Sequence, residues 1–289
     1  MSRVVCAGHV NWDVTLHVDA LPDPDGEGTI SHQLQAGGGS AANTALGLDG
    51  LGYEPVLLGS TGDDNYATLV EEELAGAGID STYLERAKGR ETTVKYLVVD
   101  ESGEVFVLAN DGANEAFEAA DLPQSELDAA AHLHLTSQHP PTALELTERG
   151  HEAGITVSFD PGRRLDERNY GSVIQAVDLL FVNEREAAAA RDRELLARTD
   201  GKVVIKRGDG GATLLAESRQ ITHDGFDVAV SDTAGAGDAF AAGFLAATLD
   251  GSASEHALAV ANACGAYAVQ SAGARVSLSW DAIESYELG

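Results

Sequence analysis

With 289 residues, 44% of them apolar, the chain is long enough to bury a full hydrophobic core in one large α/β domain, with or without an appendage. A net charge of −29 at pH 7 disfavours nucleic acid and anionic membranes as partners, and two cysteines exclude a disulfide framework. Because no segment has signal-peptide form or could span a bilayer, we expect a soluble cytoplasmic protein with two buried thiols.

The acidic residues are dispersed along the chain, which disfavours an acidic interaction tail. This composition is typical of proteins adapted to molar salt, which screens charge repulsion over roughly 3 Å at 1 M. We therefore expect a halophilic protein. Lysine is rare and occurs only at Lys88, Lys95, Lys202 and Lys206.

Strand-like and helix-like segments alternate along the chain. Short apolar runs predict buried strands at 3–7, 55–58, 132–135, 156–159, 179–182 and 203–205. Stretches rich in Ala, Leu and Glu predict helices between them, including 41–51, 66–77, 141–153 and 184–197. This alternation indicates a doubly wound, mostly parallel sheet with helices on both faces.

Two stretches interrupt the alternation, at about 12–36 and 88–112. The second contains β-rich runs on both sides of Glu101-Ser102-Gly103 and predicts a hairpin. A small sheet over the strand ends would act as a lid that excludes water from a reaction. We expect one domain, 1–289, with these two lid segments inserted.

The most informative segment, 232–240, reads DTAGAGDAF and precedes an apolar, helix-periodic run. Glycines let backbone approach a ligand closely, and the free N–H groups of a helix N-terminus attract phosphate. Asp238 would be a base beside that phosphate, which is the layout that phosphoryl transfer needs. Alternatively, Asp238 would only cap a glycine-led helix.

The chain resembles the PfkB, or ribokinase-like, carbohydrate kinases. The resemblance rests on 232–240 and on a second motif at 37–43, GGGSAAN, which precedes an Ala-rich helix. It implies a ribokinase-like α/β fold with a small β-sheet lid, and it covers nearly the whole chain. Smaller matches follow in the family's order at 8–13, 160–163, 183–186 and 206–211.

The resemblance implies that Asp238 takes the proton from the substrate hydroxyl that attacks the γ-phosphorus of ATP. Backbone N–H groups of Gly235, Ala236 and Gly237 would stabilise charge on the transferring phosphoryl group. An NAD-binding oxidoreductase fits less well, because its fingerprint needs a third glycine where Phe240 stands.

The same resemblance assigns residues to the sugar. Gln138 lies where some relatives place a sugar-contacting acid, so its neutral amide is a departure. Each of the others could instead be an ordinary turn residue or one near a helix start. The residues implied are Asn11, Asp13, Gly38, Gly39, Asn43 and Gln138.

On the nucleotide side, Asn183 and Glu186 match an Asn-x-x-Glu element that organises Mg²⁺ and the ATP phosphates, usually through water. The same pair would also suit a capping box at a helix start. Lys206, Gly208 and Gly211 resemble the nucleotide-side strand and turn, with Lys206 able to reach phosphate.

Three further expectations come from the resemblance. Asn262, on a late Ala-rich helix, lies near where relatives line the adenine pocket. A monovalent cation such as K⁺ would bind near Asp232 and the loop 272–274, as in some relatives. Lids of this family often pair between subunits, so we expect a homodimer through the lid.

Lys95 bears most directly on the substrate. Strand alternation points it away from the side of Val94 and Tyr96. If it faces the site, it favours an anionic substrate such as a sugar phosphate or sugar acid; otherwise it is a surface lysine. Thr92-Thr93 stand where phosphofructokinase-like relatives place an arginine, which disfavours fructose 6-phosphate. The cations that could assist are Arg90, Arg163 and Arg164.

We therefore predict ATP- and Mg²⁺-dependent phosphorylation of a hydroxyl on a small sugar, of ribose or ketose type, including a pentose phosphate. A nucleoside kinase and a 2-keto-3-deoxy sugar acid kinase are the alternatives within the family. A non-catalytic nucleotide or sugar sensor would not need Asp238 and its glycine turn.

Overall fold

The structure, a computed structural model, describes residues 1–22, 25–101, 105–192, 195–196, 199–216, 219–271, 273–286 and 288. Its strands, in chain order, are β1 Arg3–Ala7, β2 Asn11–Val18, β3 Ile30–Gly38, β4 Glu54–Thr61, β5 Asp80–Arg86, β6 Val94–Val99, β7 Val105–Ala109, β8 His132–Thr136, β9 Thr156–Asp160, β10 Leu179–Asn183, β11 Lys202–Lys206, β12 Ala212–Ala216 and β13 Arg219–His223.

The α-helices start close to where the sequence predicts them. Those predicted to start at 41, 66 and 141 each begin one residue earlier. Their bounds are α1 Ser40–Gly50, α2 Asn65–Gly76, α3 Gln124–Asp128, α4 Pro140–Glu152, α5 Gly171–Ala176, α6 Glu184–Asp192, α7 Ala236–Leu249, α8 Ser254–Ala268 and α9 Trp280–Ile283.

The main sheet has the strand order β13-β12-β11-β10-β9-β8-β1-β4-β5 in the described part of the chain. The strands from β11 to β5 run parallel, whereas β12 and β13 are antiparallel. The predicted doubly wound, mostly parallel fold is therefore confirmed. Its carboxyl ends lie along one edge, so the residues that follow β1, β8 and β9 are neighbours.

The main sheet is covered on both faces. Val4 and Cys6 of β1 face a core that includes residues of α1, α7 and α8, while Val5 and Ala7 face one formed with α4, α5 and α6. Parallel strands buried on both faces read as continuous apolar runs, which is why the sequence predicts them well. Both cysteines, Cys6 and Cys264, are buried free thiols, as predicted.

A second sheet of order β3-β2-β6-β7 is built from the two interrupting stretches. β2 pairs with β3 antiparallel and with β6 parallel, and β6 pairs with β7 antiparallel, as the hairpin prediction requires. The hairpin-turn residues Ser102 and Gly103 lie outside the described residues. The same holds for residues of the other predicted segments, namely 23, 24, 193, 194, 197 and 272. No helix in the described part is long and apolar enough to cross a membrane.

Candidate active site

The turn that opens α7 requires glycine for a steric reason. Gly235 has a left-handed backbone, with φ of 74°, and a Cβ there would collide with the carbonyl oxygen of Ala274. The N–H groups of Ala236 and Gly237 start the helix, and Asp238 lies in its first turn. The segment thus presents helix N-terminal donors and a carboxylate on one turn.

Asp238 is held by a residue of the other glycine-rich motif. The amide nitrogen Nδ2 of Asn43 donates a hydrogen bond to Oδ2 of Asp238 at 2.8 Å. Burial of the carboxylate raises the pKa of Asp238 to about 6, although the Asn43 hydrogen bond and the charges of Lys206 and Lys95 oppose that shift. Asp238 is thus ionised near neutral pH and basic enough to accept a proton.

Lys206 lies beneath the same turn. Its ammonium donates to Oδ2 of Asp160 at 2.5 Å and lies 3.2 Å from where a Cβ on Gly237 would stand. The two side chains meet because Lys206 ends β11 and Asp160 ends β9 at the same edge of the sheet. Burial disfavours the ammonium, yet the Asp160 carboxylate raises the pKa of Lys206, so this lysine stays charged.

Asn183 and Glu186 form the capping box that the sequence offered as an alternative. The backbone N–H of Asn183 donates to Glu186 at 2.8 Å, and that of Glu186 donates to the Asn183 side chain at 2.9 Å. Burial first, and then the charge of Asp160, raises the pKa of Glu186. Glu186 thus shares one electrostatic cluster with Asp160 and Lys206.

Two of the residues that the resemblance assigns to the sugar, Asn11 and Gly38, contact Asp13. Nδ2 of Asn11 donates to the Asp13 carboxylate at 2.6 Å, and a Cβ on Gly38 would collide with that carboxylate. Gly39, with φ of 98°, packs against the carbonyl oxygen of His9, where no side chain fits. Burial raises the pKa of Asp13, against the nearby charge of Lys95.

Several polar atoms of the residues assigned to the sugar form no hydrogen bond with the described part of the protein. Among the described residues, the amide oxygens of Asn11 and Asn43 are buried and accept no hydrogen bond. Gln138 is fully buried, and neither atom of its amide has a partner. Buried polar groups are usually satisfied, so these atoms point to a bound polar ligand.

Lys95 faces the site. It pairs with Asp13 in the β2–β6 register. Its charge opposes the rise that burial causes in the pKa of Asp238 and of Asp13, and it adds to the lowering that burial causes in the pKa of His9. The side chain is half-buried and, within the described residues, makes no hydrogen bond or ion pair.

The remaining nucleotide-side candidates make no hydrogen bond to Asp238 among the described residues. Gly208 and Gly211 bracket the turn between β11 and β12. Asn262 is buried, and its amide nitrogen donates to the Leu258 carbonyl of its own helix at 2.7 Å, so the structure shows no ligand-facing role for this donor. Asp232 accepts from the backbone N–H groups of Ala234, at 2.9 Å, and Gly273, at 3.0 Å; Ala272 lies outside the described residues.

Two ion pairs at the site were not predicted from the sequence. Asp160 belongs to a matched motif, but only its pairing with Lys206 indicates a role. Arg275 forms an ion pair with the half-buried Glu73 at 2.7 Å and packs against Gly37. Glu73 in turn accepts from the Gly37 N–H at 2.7 Å. No local pattern marks Arg275, because its partners are distant in the sequence.

Known proteins resemble the chain over its whole length. The model of the pfkB family of carbohydrate kinases matches residues 1–281. An ATP-dependent ribose-1-phosphate kinase from Halopiger xanaduensis is 48% identical, over 99% of this chain and 98% of that protein. A nucleoside kinase from Methanocaldococcus jannaschii is 26% identical, over 98% of this chain and 96% of the relative.

Solved structures give the same fold. A ribokinase from Arabidopsis thaliana, in complex with ribose and ATP, superposes with a TM-score of 0.88 at 23% identity, covering 98% of each chain. A Thermotoga maritima ribokinase gives 0.86 at 25% identity, covering 99% of each chain. These findings confirm the predicted ribokinase-like fold and the predicted class of phosphotransferase. The chain therefore belongs to the pfkB family of carbohydrate kinases.

Proposed function

We propose that this protein transfers the γ-phosphate of ATP to the primary hydroxyl of ribose 1-phosphate, with Asp238 as the base. The Asn43–Asp238 hydrogen bond at the N-terminus of α7 carries the proposal, because it joins the sugar motif to the phosphate turn. The substrate is suggested by the Halopiger relative, which is 48% identical and named an ATP-dependent ribose-1-phosphate kinase.

In the proposed reaction, the hydroxyl proton moves to the Asp238 carboxylate while the hydroxyl oxygen bonds to the γ-phosphorus. The bond between that phosphorus and the bridging oxygen breaks, and ADP leaves with the electron pair. The backbone N–H groups of Gly235, Ala236 and Gly237 stabilise charge on the transferring group, since helix N-terminal donors favour anions. Asn43 orients Asp238 and keeps it ionised.

Lys206 serves the ATP phosphates in this proposal. Its ammonium lies beside Gly237, at the place where the γ-phosphate must approach the turn. The ion pair with Asp160 fixes the ammonium and keeps it protonated. A positioned cation of this kind stabilises the transition-state charge without moving a proton.

The cluster also suits Mg²⁺. Asp160, Glu186 and Asp238 share one electrostatic neighbourhood, in which Lys206 pairs directly with Asp160, so a divalent cation would relieve the repulsion among the three carboxylates. Among the described residues, no three or more His, Cys, Asp or Glu side chains are placed to hold a metal by themselves. This fits an ion that keeps several waters and binds chiefly to phosphates, with Glu186 and Asp160 as outer partners. When bound, it neutralises phosphate charge.

Three finer points belong to the same proposal. A K⁺ ion near Asp232 would stabilise the loop that supports Gly235, because Asp232 already holds Gly273 there. The protein would work in the cytoplasm, which supplies ATP. A homodimer would cover apolar side chains that are exposed on the lid sheet. Those side chains are Ile30 at 53%, Tyr96 at 38%, Phe106 at 52% and Leu108 at 62% exposed.

An ADP-release screen in molar KCl tests the proposal, with ³¹P NMR to identify the product. The panel contains ribose 1-phosphate, ribose, fructose 6-phosphate, a purine and a pyrimidine nucleoside, and a 2-keto-3-deoxy sugar acid. We expect the highest kcat/KM with ribose 1-phosphate and a bisphosphorylated product. Turnover of a nucleoside or sugar acid without turnover of ribose 1-phosphate would refute the assignment.

A further inference from the structure

We propose that the phosphate already carried by the sugar is bound by Lys95 and Arg164, next to His9, on the β1 side of the site. This inference rests on the proposed substrate. It assigns a second anion subsite, separate from the turn at Gly235 that receives the phosphates of ATP.

Lys95 supplies a cation that no protein group neutralises by direct contact. It is half-buried on β6, opposite Asp13 of β2, and within the described residues no carboxylate pairs with it. A half-buried lysine without an ion-pair partner loses part of its hydration, and no protein group compensates for that loss of solvation free energy. A phosphate on the substrate would provide that partner.

The segment 109–115 brings Arg164 to the same place. Ala109 pairs with Lys95 at the end of β7, and two residues later Asp111 meets the Arg164 guanidinium at 3.8 Å. The side chain of Asn114 then accepts from the Val10 N–H at 3.2 Å. Lys95 and Arg164 are thus brought to the end of β1 by one short stretch of chain.

Arg164 is the most available of the three arginines that the sequence suggested as partners of Lys95. The Asp111 side chain opposite it is 99% exposed, so their long contact leaves Arg164 free to bind another anion. Arg90 donates instead to the Gly112 carbonyl at 2.8 Å and is exposed. The charge of Arg163 acts on Glu186, which places it on the nucleotide side.

Glu115, one of the carboxylates beside this subsite, is already neutralised. Glu115 contacts His9 at 2.9 Å and Arg168 at 2.8 Å. Burial opposes its ionisation, but the hydrogen bonds from these two residues lower the pKa of Glu115 to about 2. Its charge is therefore satisfied locally. Asp13 lies opposite Lys95, and the exposed Asp111 lies 3.8 Å from Arg164, but among the described residues neither carboxylate forms a hydrogen bond with these two cations.

Gln138 fits the same interpretation. It follows β8, and in the sheet β8 lies between β9, which ends at Asp160, and β1, which leads to His9. The strand order therefore places Gln138 between the nucleotide cluster and the Lys95–Arg164 pair. Its amide is buried without partners and can donate to phosphate, whereas a carboxylate there would repel it.

Calorimetric titration of ribose 1-phosphate, and separately of ribose, into the full-length protein with a non-hydrolysable ATP analogue tests the subsite without requiring turnover. We expect Lys95→Gln and Arg164→Gln each to weaken ribose 1-phosphate binding by about 10- to 100-fold, the cost of losing one charge-assisted hydrogen bond. Ribose binding should change less than about threefold, since ribose lacks the phosphate. Lys95→Arg should restore most of the affinity.

Lys88→Gln is the matched control, because it removes the same charge from an exposed lysine beside the lid. Gln138→Glu should weaken ribose 1-phosphate binding more than ribose binding. Equal losses for both sugars, or no loss for ribose 1-phosphate, would overturn the subsite. Tight, Lys95-dependent binding without ADP release would instead support the subsite and refute the proposed function.

Discussion

Asn43 donates a hydrogen bond from Nδ2 to Oδ2 of Asp238, and this 2.8 Å contact joins two residues 195 positions apart in the sequence. It connects the glycine-rich start of α1 to the glycine-rich start of α7, so both family motifs meet at one carboxylate. It also opposes the effect of burial, which raises the pKa of Asp238 to about 6. The contact therefore sets both the position and the protonation of the proposed base.

Removing this hydrogen bond should shift the pH profile. A base must be unprotonated, so activity of the native protein should fall as pH drops through about 6. Because the Asn43 hydrogen bond lowers the pKa, Asn43→Ala should move the acidic limb of kcat/KM upward by about 1 pH unit, or about 1.4 kcal/mol. Rate measurements from pH 5 to 9 would show it, and an unshifted acidic limb would contradict the role of Asn43.

The Lys206–Asp160 pair should matter for ATP more than for sugar. Lys206→Gln leaves the Asp160 carboxylate beside Glu186 and removes a cation from the phosphate turn, so kcat should fall roughly 100-fold and the KM for ATP should rise. Steady-state kinetics with each substrate varied in turn would separate these effects. Lys202→Gln, at the exposed start of the same strand, is the control and should behave like the native protein.

The fold was largely predictable because its core strands are buried on both faces. Strands such as β1 and β10 read as uninterrupted apolar runs, whereas β5 alternates exposed and buried residues at the sheet edge and was not predicted. The antiparallel strands β12 and β13 also escaped prediction, since β13 is mostly polar. Edge strands carry a weaker hydrophobic signal because one side faces solvent.

The site was predictable where a local motif defines it. Asp238 and Asn43 each lie in the first turn of a helix that follows a glycine-rich motif, and the structure joins these two motif residues by a hydrogen bond. The ion pair of Arg275 with Glu73 could not be predicted, because it depends on how the C-terminal segment packs against α2. The orientation of Lys95 likewise required the β2–β6 register.

The Arg275–Glu73 pair should stabilise the end of β3, where the lid sheet joins the main domain. Arg275→Met leaves Glu73 without its ion-pair partner and removes one of two cations near Asp13, the other being Lys95. Because the side chain of Arg275 is 10% exposed but that of Glu73 is 35% exposed, we expect a cost of about 2 kcal/mol, between those of an exposed and a buried pair. We therefore expect a lower free energy of unfolding in urea and a higher KM for the sugar. Combined with Glu73→Gln, the loss should be smaller than the sum of the two single losses.

The exposed pair Arg219–Glu255 provides the comparison for that experiment. Its side chains are 75% and 59% exposed and lie 3.4 Å apart, so Arg219→Met should cost less than about 1 kcal/mol. Similar losses of unfolding free energy for Arg275→Met and Arg219→Met would argue against a stabilising role of the Arg275–Glu73 pair. Strictly additive losses in the Arg275→Met, Glu73→Gln double variant would do the same.

Salt should stabilise the protein. A net charge of −29 imposes self-repulsion on the folded state, and screening shortens its range from about 10 Å at 0.1 M to about 3 Å at 1 M. Screening that removes a few kcal/mol of repulsion from the folded state should raise the Tm by about 5 °C or more between 0.1 and 2 M KCl, as measured by scanning calorimetry. A Tm that is flat or falls with KCl would contradict this explanation.

Single-turnover transfer of phosphate from γ-labelled ATP to ribose 1-phosphate by Asp238→Asn determines whether Asp238 is the base. The asparagine keeps the size of the side chain but cannot accept the hydroxyl proton, so we expect phosphoryl transfer to slow by about 100-fold or more. Binding of ribose 1-phosphate and ATP should stay within a few-fold of that of the native protein. Transfer at the native rate would show that Asp238 is not the base and would contradict the account.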